Sequence, residues 1–244
     1  MQTVICIRWG TEYGADDVNR LYRAVTRNVA RPTRFVAFTD PVEGLDAGIE
    51  AKPIPSIHLP PGLKPGPWRK LAVWAADLGG LRGDVLFLDL DILVTGTLDP
   101  LFEHEPGHLV LVRNPTQGRR DGIGNSSVMR FEAGSAPHLV SDFEADAVRF
   151  SYRFDNEQIY VTKASRLPVA FWPADWCPSF KHGLLPPWPL YLFRPPTLPT
   201  TARVVVFTGR PRPGDAVRGH WPTRWYKRFY RSIPPVPWVA DHWR

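Results

Sequence analysis

Hydrophobic positions in the first third of the chain follow two different periodicities. Residues 3 to 8 and 34 to 38 are short apolar runs typical of β-strands. Between them, residues 16 to 29 carry apolar side chains three or four positions apart, as one face of a helix does. This pattern predicts that the chain opens with a strand, a helix and a second strand. A second helix is expected from about residue 68 to 78, because apolar positions recur there at helical spacing and two glycines follow it.

The most hydrophobic run of the chain is Val85-Leu86-Phe87-Leu88. A strand without a polar face has to be covered on both sides, so this run is predicted to lie in the centre of a sheet. Further segments have the patterns of strands, near residues 108 to 113, 126 to 131 and 203 to 207, or of helices, near residues 137 to 149 and 155 to 164. The alternation of strands and helices predicts one α/β domain with three layers.

The composition excludes several classes of protein. With 244 residues, of which 43% are hydrophobic and 22% charged, the chain can bury a large core, which excludes disorder as its main state. No run approaches the roughly 18 apolar residues of a membrane span, and the first residues are strand-like, so a soluble and unprocessed protein is expected. Cys6 and Cys177 are the only cysteines, too few for a disulfide scaffold or a multi-cysteine metal site, and a cytoplasmic location is expected.

Positive charge is concentrated at the C-terminal end. Residues 203 to 244 contain nine Arg or Lys and two Asp, a net +7 against +6 for the whole chain, so the other residues sum to −1. Nucleotide phosphates, anionic lipid and nucleic acid would all suit such a segment. Residues 221 to 231, WPTRWYKRFYR, combine aromatic and basic side chains as interfacial membrane segments do. They are predicted either to dock on the inner membrane face or to form a solvated basic helix, and nucleic acid is the least supported partner, because no nucleic-acid motif accompanies the charge.

Two carboxylates follow the central hydrophobic run. Side chains alternate along a strand, so Asp89 and Asp91 are expected on one face while Leu90 returns to the core. Two like charges so close together call for a cation, and oxygen ligands suit Mg²⁺ or Mn²⁺. The carboxyl end of a central strand is also where ligands bind in open α/β sheets. The alternative interpretation is that the pair only caps the strand or accepts hydrogen bonds from nearby backbone.

Several motifs resemble those of GT-A glycosyltransferases, in particular family eight, which contains glycogenin-like and lipopolysaccharide-sugar transferases. In chain order, they are Tyr13, Lys70-Leu71-Ala72-Val73-Trp74, Asp89-Leu90-Asp91, Leu98-Asp99-Pro100-Leu101-Phe102, Asn125-Ser126-Ser127-Val128-Met129, DNEQ at residues 155 to 158 and Val206-Phe207-Thr208-Gly209-Arg210-Pro211. Each motif is weak alone, but together they keep the family's order from residue 3 to about 213. The resemblance implies a three-layer α/β/α GT-A fold with a central mixed, mostly parallel sheet. It also implies a catalytic domain of residues 1 to 213, followed by a basic aromatic extension of residues 214 to 244.

The resemblance further implies a role for each motif in transferring a sugar from a nucleotide-sugar donor, a UDP-sugar in the first place. Asp89 and Asp91 would hold Mn²⁺ or Mg²⁺ on the diphosphate, where the ion stabilises the charge of the leaving group. Tyr13 would stack on the uracil, Lys70 would contact the donor, and Lys181 is a candidate second phosphate contact. The sugar hydroxyls would be bound by a polar cluster made up of Asn125, Asp155, Glu157 and Gln158.

One position departs from the family's pattern. The family's late motif, H-F-x-G-x-x-K-P, usually supplies its histidine as a third metal ligand, and here it reads Val206-Phe207-Thr208-Gly209 without an imidazole. The ion would then be held by fewer side chains together with diphosphate and water, as is ordinary for Mg²⁺, or by Asp215 or His220 from the following loop. Loss of catalytic activity is the third alternative.

The sequence therefore predicts a metal-dependent, retaining glycosyltransferase. Its acceptor would be a glycan or a lipid-linked saccharide, and its location cytoplasmic or peripheral on the inner membrane face. Two alternatives stay open. One is a haloacid-dehalogenase-like phosphatase, with Asp89 as nucleophile and Asp91 as general acid; the other is a non-catalytic relative that binds nucleotide sugars.

Overall fold

The computed structural model of the protein describes residues 1 to 117 and 122 to 244. Within these ranges the strands are β1 (Gln2–Arg8), β2 (Thr33–Thr39), β3 (Glu50–Lys52), β4 (Asp84–Leu88), β5 (Ile92–Val94), β6 (Leu109–Arg113), β7 (Gly124–Glu132), β8 (Val169–Phe171) and β9 (Val204–Val206). The α-helices are α1 (Ala15–Arg27), α2 (Asp99–Glu103), α3 (His138–Ala145), α4 (Ala147–Arg153), α5 (Glu157–Ala164), α6 (Pro213–Val217) and α7 (Pro237–His242). Short 3₁₀ helices cover Trp68–Trp74, Leu190–Leu192 and Trp225–Lys227, and a π-helical turn covers Phe180–Leu184.

The main sheet has seven strands in the order β3-β2-β1-β4-β7-β6-β8. Only β7 runs against the others, because it pairs antiparallel with both β4 and β6 whereas the remaining neighbours pair in parallel. A second small sheet joins β5 and β9 in antiparallel fashion. The prediction of a mixed, mostly parallel α/β sheet is confirmed.

Strand β4 lies in the middle of the sheet, as its hydrophobic run predicted. Val85 and Phe87 pack into one buried cluster, with the 3₁₀ helix, α3 and α5, whereas Leu86 and Leu88 pack into another, with α1. All four side chains are fully buried. Alternate side chains therefore anchor opposite layers of helices, which is the physical basis of the three-layer arrangement.

A third buried cluster joins the small sheet to the C-terminal segment. Leu93 of β5 and Val205 of β9 pack with Phe180, Phe207, Ala216, Ile233, Val236 and Val239. Because β5 follows directly after Asp91, this packing fixes the backbone on the far side of the two carboxylates.

Two helices differ from the sequence prediction. The helix expected over residues 68 to 78 is a 3₁₀ helix that ends at Trp74. Its three-residue repeat puts Trp68, Leu71 and Trp74 along one side, and apolar spacing of three residues does not by itself distinguish this geometry from an α-helix. The helix expected over residues 137 to 149 is divided at Asp146, whose carboxylate accepts a hydrogen bond from the Arg149 backbone N–H and so begins a new helix.

The turn after β7 requires glycine at position 134. Gly134 has φ +77°, and a Cβ atom there would lie 2.8 Å from the backbone oxygen of Ala76. Gly134→Ala is therefore expected to lower the free energy of unfolding by about 1–3 kcal/mol, measured by urea denaturation. Gly183→Ala is the matched control, because its Cβ would meet no atom closer than 3.8 Å and the backbone there is not left-handed. An equal loss in the free energy of unfolding for the two variants would contradict this account.

Candidate active site

A cavity of about 590 Å³ opens where β1 and β4 end and β7 begins. The antiparallel pairing of β7 with β4 brings the start of β7 beside the end of β4, and the Asp89 N–H donates to the Ser127 carbonyl at 2.9 Å. Seven of the residues singled out from the sequence line this cavity: Tyr13, Lys70, Asp89, Asp91, Asn125, Glu157 and Gln158. Residues far apart in the chain therefore meet at one edge of the sheet.

The two aspartates after β4 have different surroundings. Leu90 is buried in the core, as the alternation predicted, and both carboxylates line the cavity. Asp91 also lines a smaller adjoining cleft of about 280 Å³. Burial, and then the charge of Asp89, raise the pKa of Asp91 to about 7, although Lys70 and Arg212 act in the opposite direction.

Lys70 is a buried ammonium group at the base of the cavity. Its Nζ lies 2.7 Å and 2.8 Å from the two carboxylate oxygens of Asp89, donates to the Ser126 hydroxyl at 3.1 Å and lies 3.7 Å from Glu157. Burial alone would lower the pKa of Lys70, but the two carboxylates outweigh it and the pKa is raised. Lys70 is thus held charged, and it holds Asp89 in a fixed orientation.

The opposite wall comes from the start of α5. The Asn156 side chain accepts a hydrogen bond from the Ile159 N–H at 3.1 Å and so caps this helix. The cap places Glu157 and Gln158 in the first turn, where Glu157 accepts a hydrogen bond from the Ser126 hydroxyl and Gln158 accepts one from the Asn125 amide at 3.0 Å. Burial raises the pKa of Glu157 against the opposing effect of Lys70. The result is a polar floor whose side chains are hydrogen-bonded to one another.

Tyr13 forms the boundary between the cavity and the smaller cleft, because it lines both. The guanidinium of Arg212 lies 5.0 Å from the centre of the Tyr13 ring and is paired with Glu12. Arg212 also lines the smaller cleft together with Asp91. Sequence reasoning missed this arginine, although a signal was present: Arg212 falls at the lysine position of the late H-F-x-G-x-x-K-P motif.

Two predicted site residues lie outside the cavity wall. Asp155 is mostly exposed and forms an ion pair with Lys64 at 2.9 Å. Lys181 donates to the carbonyl of Thr208 at 3.0 Å. Asp155 is therefore directed to the surface, and Lys181 supports the wall from behind through Thr208, which does line the cavity.

The two substitutes considered for the third metal ligand lie outside the main cavity, although Asp215 lines the smaller cleft together with Asp91. Asp215 is buried, and its carboxylate forms ion pairs with Arg210 at 2.9 Å and Arg218 at 3.0 Å. It also accepts a hydrogen bond from the Arg212 backbone N–H. His220 lines neither the cavity nor the cleft. At the histidine position of the family motif, Val206 is buried in the core.

The side chains of the cavity fit a divalent cation with an open coordination sphere. Across residues 1 to 117 and 122 to 244, there is no cluster of three or more His, Cys, Asp or Glu side chains. Among the described residues, the Asp91 carboxylate forms no ion pair with a lysine, whereas Lys70 neutralises part of the charge of Asp89. The Thr208 hydroxyl is buried in the cavity wall and has no hydrogen-bond partner among the described residues. Mg²⁺ is usually bound through one or two carboxylates with water and substrate phosphates completing the octahedron, and this donor set meets that requirement.

Neither the family models nor the curated proteins give a match to this sequence. Solved structures do. The galactosyltransferase LgtC, in complex with donor and acceptor sugar analogues, matches 87% of this chain and 89% of its own, with a TM-score of 0.61 and 14% sequence identity. An active-site variant of LgtC matches 98% of this chain and 95% of its own, with a TM-score of 0.65 and 15% identity. The glycosyltransferase GlyE of Streptococcus pneumoniae TIGR4 matches 87% of this chain and 56% of its own, with a TM-score of 0.55 and 13% sequence identity. At such low identity the likeness concerns the fold, and it confirms that this chain has the GT-A fold of these glycosyltransferases, as its sequence motifs predicted.

Proposed function

We propose that this protein is a metal-dependent glycosyltransferase that uses a nucleotide-sugar donor, with a UDP-sugar as the preferred substrate. The observation that carries the proposal is the cavity at the carboxyl edge of the sheet, where Asp89, Asp91, Lys70 and Tyr13 meet in a GT-A fold. An aromatic ring, a pair of carboxylates and a polar floor are the groups that a base, a diphosphate with its cation and a sugar require, respectively.

The donor would lie across the boundary formed by Tyr13. The ring would stack on the base, and Arg212, 5.0 Å from the ring centre and lining the cleft with Asp91, would contact the diphosphate. Asp91 and Asp89 would hold Mn²⁺ or Mg²⁺, which when bound supplies Lewis-acid stabilisation of the negative charge that develops on the departing nucleoside diphosphate. Lys70 keeps Asp89 oriented for this role.

The sugar would lie on the floor between β7 and α5. Asn125 and Gln158 are hydrogen-bonded to each other, and each retains further amide capacity for the sugar hydroxyls. Glu157 is held by Ser126 and Lys70, so its role is to position Lys70 and the floor. Asp155 and Lys181, which lie outside the wall, would reach a ligand only if the donor extends beyond this cavity.

The acceptor would be a glycan or a lipid-linked saccharide, and the anomeric configuration of the sugar would be retained. Both statements rest on the resemblance of the motifs to family eight. The stereochemistry is checked by proton NMR of the first product formed, in which an inverted anomer would overturn retention.

The phosphatase alternative loses its main support in the structure. Both oxygens of Asp89 lie within 2.8 Å of the Lys70 ammonium, which neutralises part of the carboxylate charge and makes Asp89 a weaker nucleophile. The sheet, with β7 antiparallel between β4 and β6, also matches glycosyltransferases.

The decisive experiment is a panel of nucleotide sugars incubated with the protein and Mn²⁺ or Mg²⁺, with release of nucleoside diphosphate as the readout. We expect hydrolysis of one UDP-sugar, dependent on the cation and abolished by a chelator. Asp91→Asn should remove it, and Asp16→Asn, a change of the same type at an exposed position of α1, should not. Release of phosphate from phosphomonoesters without release from any nucleotide sugar would overturn the proposal in favour of a phosphatase.

A non-catalytic nucleotide-sugar binder is the second candidate. Val206 is buried where the family has a histidine, and Lys70 already neutralises part of Asp89, so the cation site has fewer free donors than a three-ligand site. Cation-dependent binding of UDP by calorimetry, without turnover of any nucleotide sugar in the presence or absence of glycan acceptors, would favour this candidate.

Tyr13 provides a test of donor binding that does not depend on turnover. Tyr13→Ala is expected to weaken UDP binding roughly tenfold, because stacking of one base on an aromatic ring contributes about 1–3 kcal/mol. Tyr13→Phe retains the ring and should bind UDP as the original protein does. Tyr152→Ala, at an exposed tyrosine of α4 away from the cavity, is the control for the loss of a tyrosine. Unchanged calorimetric affinity in Tyr13→Ala would show that the base lies elsewhere.

A further inference from the structure

Exposed hydrophobic side chains are concentrated in two segments of the C-terminal third. Among the described residues, nine large hydrophobic side chains are exposed, and six of these lie in residues 186 to 194 or 221 to 231. They are Trp188, Leu190, Phe193, Trp225, Tyr226 and Phe229. Single exposed apolar side chains are normal on a protein surface, but a concentration of six large ones marks an interaction surface.

Tertiary contacts hold the two segments together. The Tyr191 hydroxyl donates to the carbonyl of Tyr230, and the rings of Tyr191 and Trp221 lie 6.1 Å apart. Ile233, immediately beyond the second segment, is buried in the third cluster, against which Tyr191 and Trp221 also pack. The two segments therefore form one surface, which we call the aromatic-basic face.

The charge on this face has one sign. Residues 186 to 194 and 221 to 231 contain five cationic side chains and no Asp or Glu: Arg194, Arg224, Lys227, Arg228 and Arg231. Throughout the described part of the chain, none of these five forms an ion pair with a carboxylate. The cations are also mixed among the aromatic rings: Arg224 donates to the Tyr226 hydroxyl at 3.3 Å, and the Lys227 ammonium lies 5.7 Å from the centre of the Tyr226 ring.

We propose that the aromatic-basic face docks the protein onto the surface of an anionic lipid bilayer. Exposed Trp and Phe side chains insert at the level of the lipid headgroups, and unpaired cations beside them are attracted to anionic lipid. No helix in the described ranges is long and apolar enough to cross a bilayer. A second copy of the chain does not suit this face, because pairing two copies through it would bring its five cations against the same five cations of the other copy.

The position of the face relates it to the cavity. Lys181, whose pKa is lowered by burial and then by the charge of Arg231, donates to the carbonyl of Thr208 in the cavity wall. Phe207, which also lines the cavity, belongs to the third cluster against which the face is anchored. A docked protein would therefore hold its cavity close to the membrane, where a lipid-linked acceptor would be found. Docking itself does not depend on the proposed transferase activity.

Vesicle flotation with the full chain tests the proposal. We expect binding to vesicles of phosphatidylcholine with roughly a third phosphatidylglycerol, and none to phosphatidylcholine alone. Binding should weaken as NaCl is raised from about 0.1 M to about 1 M, because the screening length falls from about 10 Å to about 3 Å. Equal binding to both kinds of vesicle, or to neither, would overturn the proposal.

Variants of the face separate its two components. Arg224→Gln and Arg228→Gln should each weaken binding about fivefold, since a basic residue near an anionic surface contributes about 1 kcal/mol. Trp225→Ser with Phe229→Ser should remove most of the binding, whereas Tyr152→Ser, at an exposed side chain outside the face, should leave it unchanged. The side chains replaced in these variants are all exposed, so the melting temperature should not change. If the double variant bound vesicles normally, or if it abolished a dimer detected by sedimentation equilibrium, the face would have another occupant and the proposal would be wrong.

Discussion

Asp91→Asn is expected to stabilise the metal-free protein above pH 7 and, at the same time, to lower donor turnover by at least about 10²-fold. Burial and the charge of Asp89 raise the pKa of Asp91 to about 7 in the folded protein, whereas an aspartate in the unfolded chain has a pKa near 4. An acid with a raised folded pKa binds more protons folded than unfolded, so the protein loses stability as pH rises from about 4 to about 7. Asparagine cannot ionise and does not incur this loss.

The linkage relation limits the increase in the free energy of unfolding of Asp91→Asn to about 4 kcal/mol. The increase is smaller to the extent that water in the open cavity solvates the carboxylate of the original protein. Urea denaturation in the presence of a chelator should therefore show a variant that is more stable than the original protein at pH 8 and equal to it near pH 4. The exposed Asp16→Asn should give no such pH-dependent difference. A variant that is less stable at pH 8 would mean that Asp91 is held charged by partners in the metal-free protein, and a variant that still turns over the donor would exclude Asp91 from the cation site.

Lys70→Met is expected to have the largest effect on stability, a loss of about 3–5 kcal/mol in the free energy of unfolding. Lys70 is buried between Asp89 and Glu157, and removing one member of a buried ion pair leaves the other without compensation. Burial already raises the pKa of Glu157, and without the ammonium it should take up a proton. The variant should consequently lose stability most steeply at high pH, where Glu157 is forced to ionise without its counter-charge.

Lys64→Met is the matched control, because Lys64 and Asp155 form a partly exposed pair on the surface and such pairs contribute about 1 kcal/mol or less. Combining Lys70→Met with Glu157→Gln removes one of the two stranded charges and should recover part of the loss, a coupling that a double-mutant cycle measures. If Lys70→Met and Lys64→Met lowered the free energy of unfolding equally, Lys70 would not be the counter-charge of this site. The same would follow if the effects of Lys70→Met and Glu157→Gln on this free energy were additive.

Much of the candidate site could be predicted from the sequence. The hydrophobic run of β4 has no polar face, which places the strand in the centre of the sheet and puts Asp89 and Asp91 at its carboxyl edge. The resemblance implies Asn125, Glu157 and Gln158 as site residues, and the structure brings them to the same cavity. The order of the motifs along the chain is enough to recognise the fold.

The direction of individual side chains could not be predicted from the sequence. Asp155 lies only two residues before Glu157, yet it faces the surface and pairs with Lys64, because the α5 cap at Asn156 turns the chain between them. Lys181 lies behind the cavity wall, and Arg212 lies over Tyr13 in the adjoining cleft. No local pattern determines which way a loop side chain points, since that depends on the elements packed around it.

The sequence by itself determined the class of the fold, the central strand and the carboxylate pair, because hydrophobic periodicity and strand alternation are local properties that short segments carry. Only the tertiary structure decided that Lys70 neutralises Asp89, that Asp215 is occupied by arginines, and that residues 186 to 194 join residues 221 to 231 in one basic, aromatic surface. Lys70 and Asp89 are 19 positions apart, and Tyr191 and Tyr230, which join the two segments, are 39 positions apart. Whether such residues meet, and whether a carboxylate such as Asp215 is buried beside arginines, is fixed by the packing of the whole core.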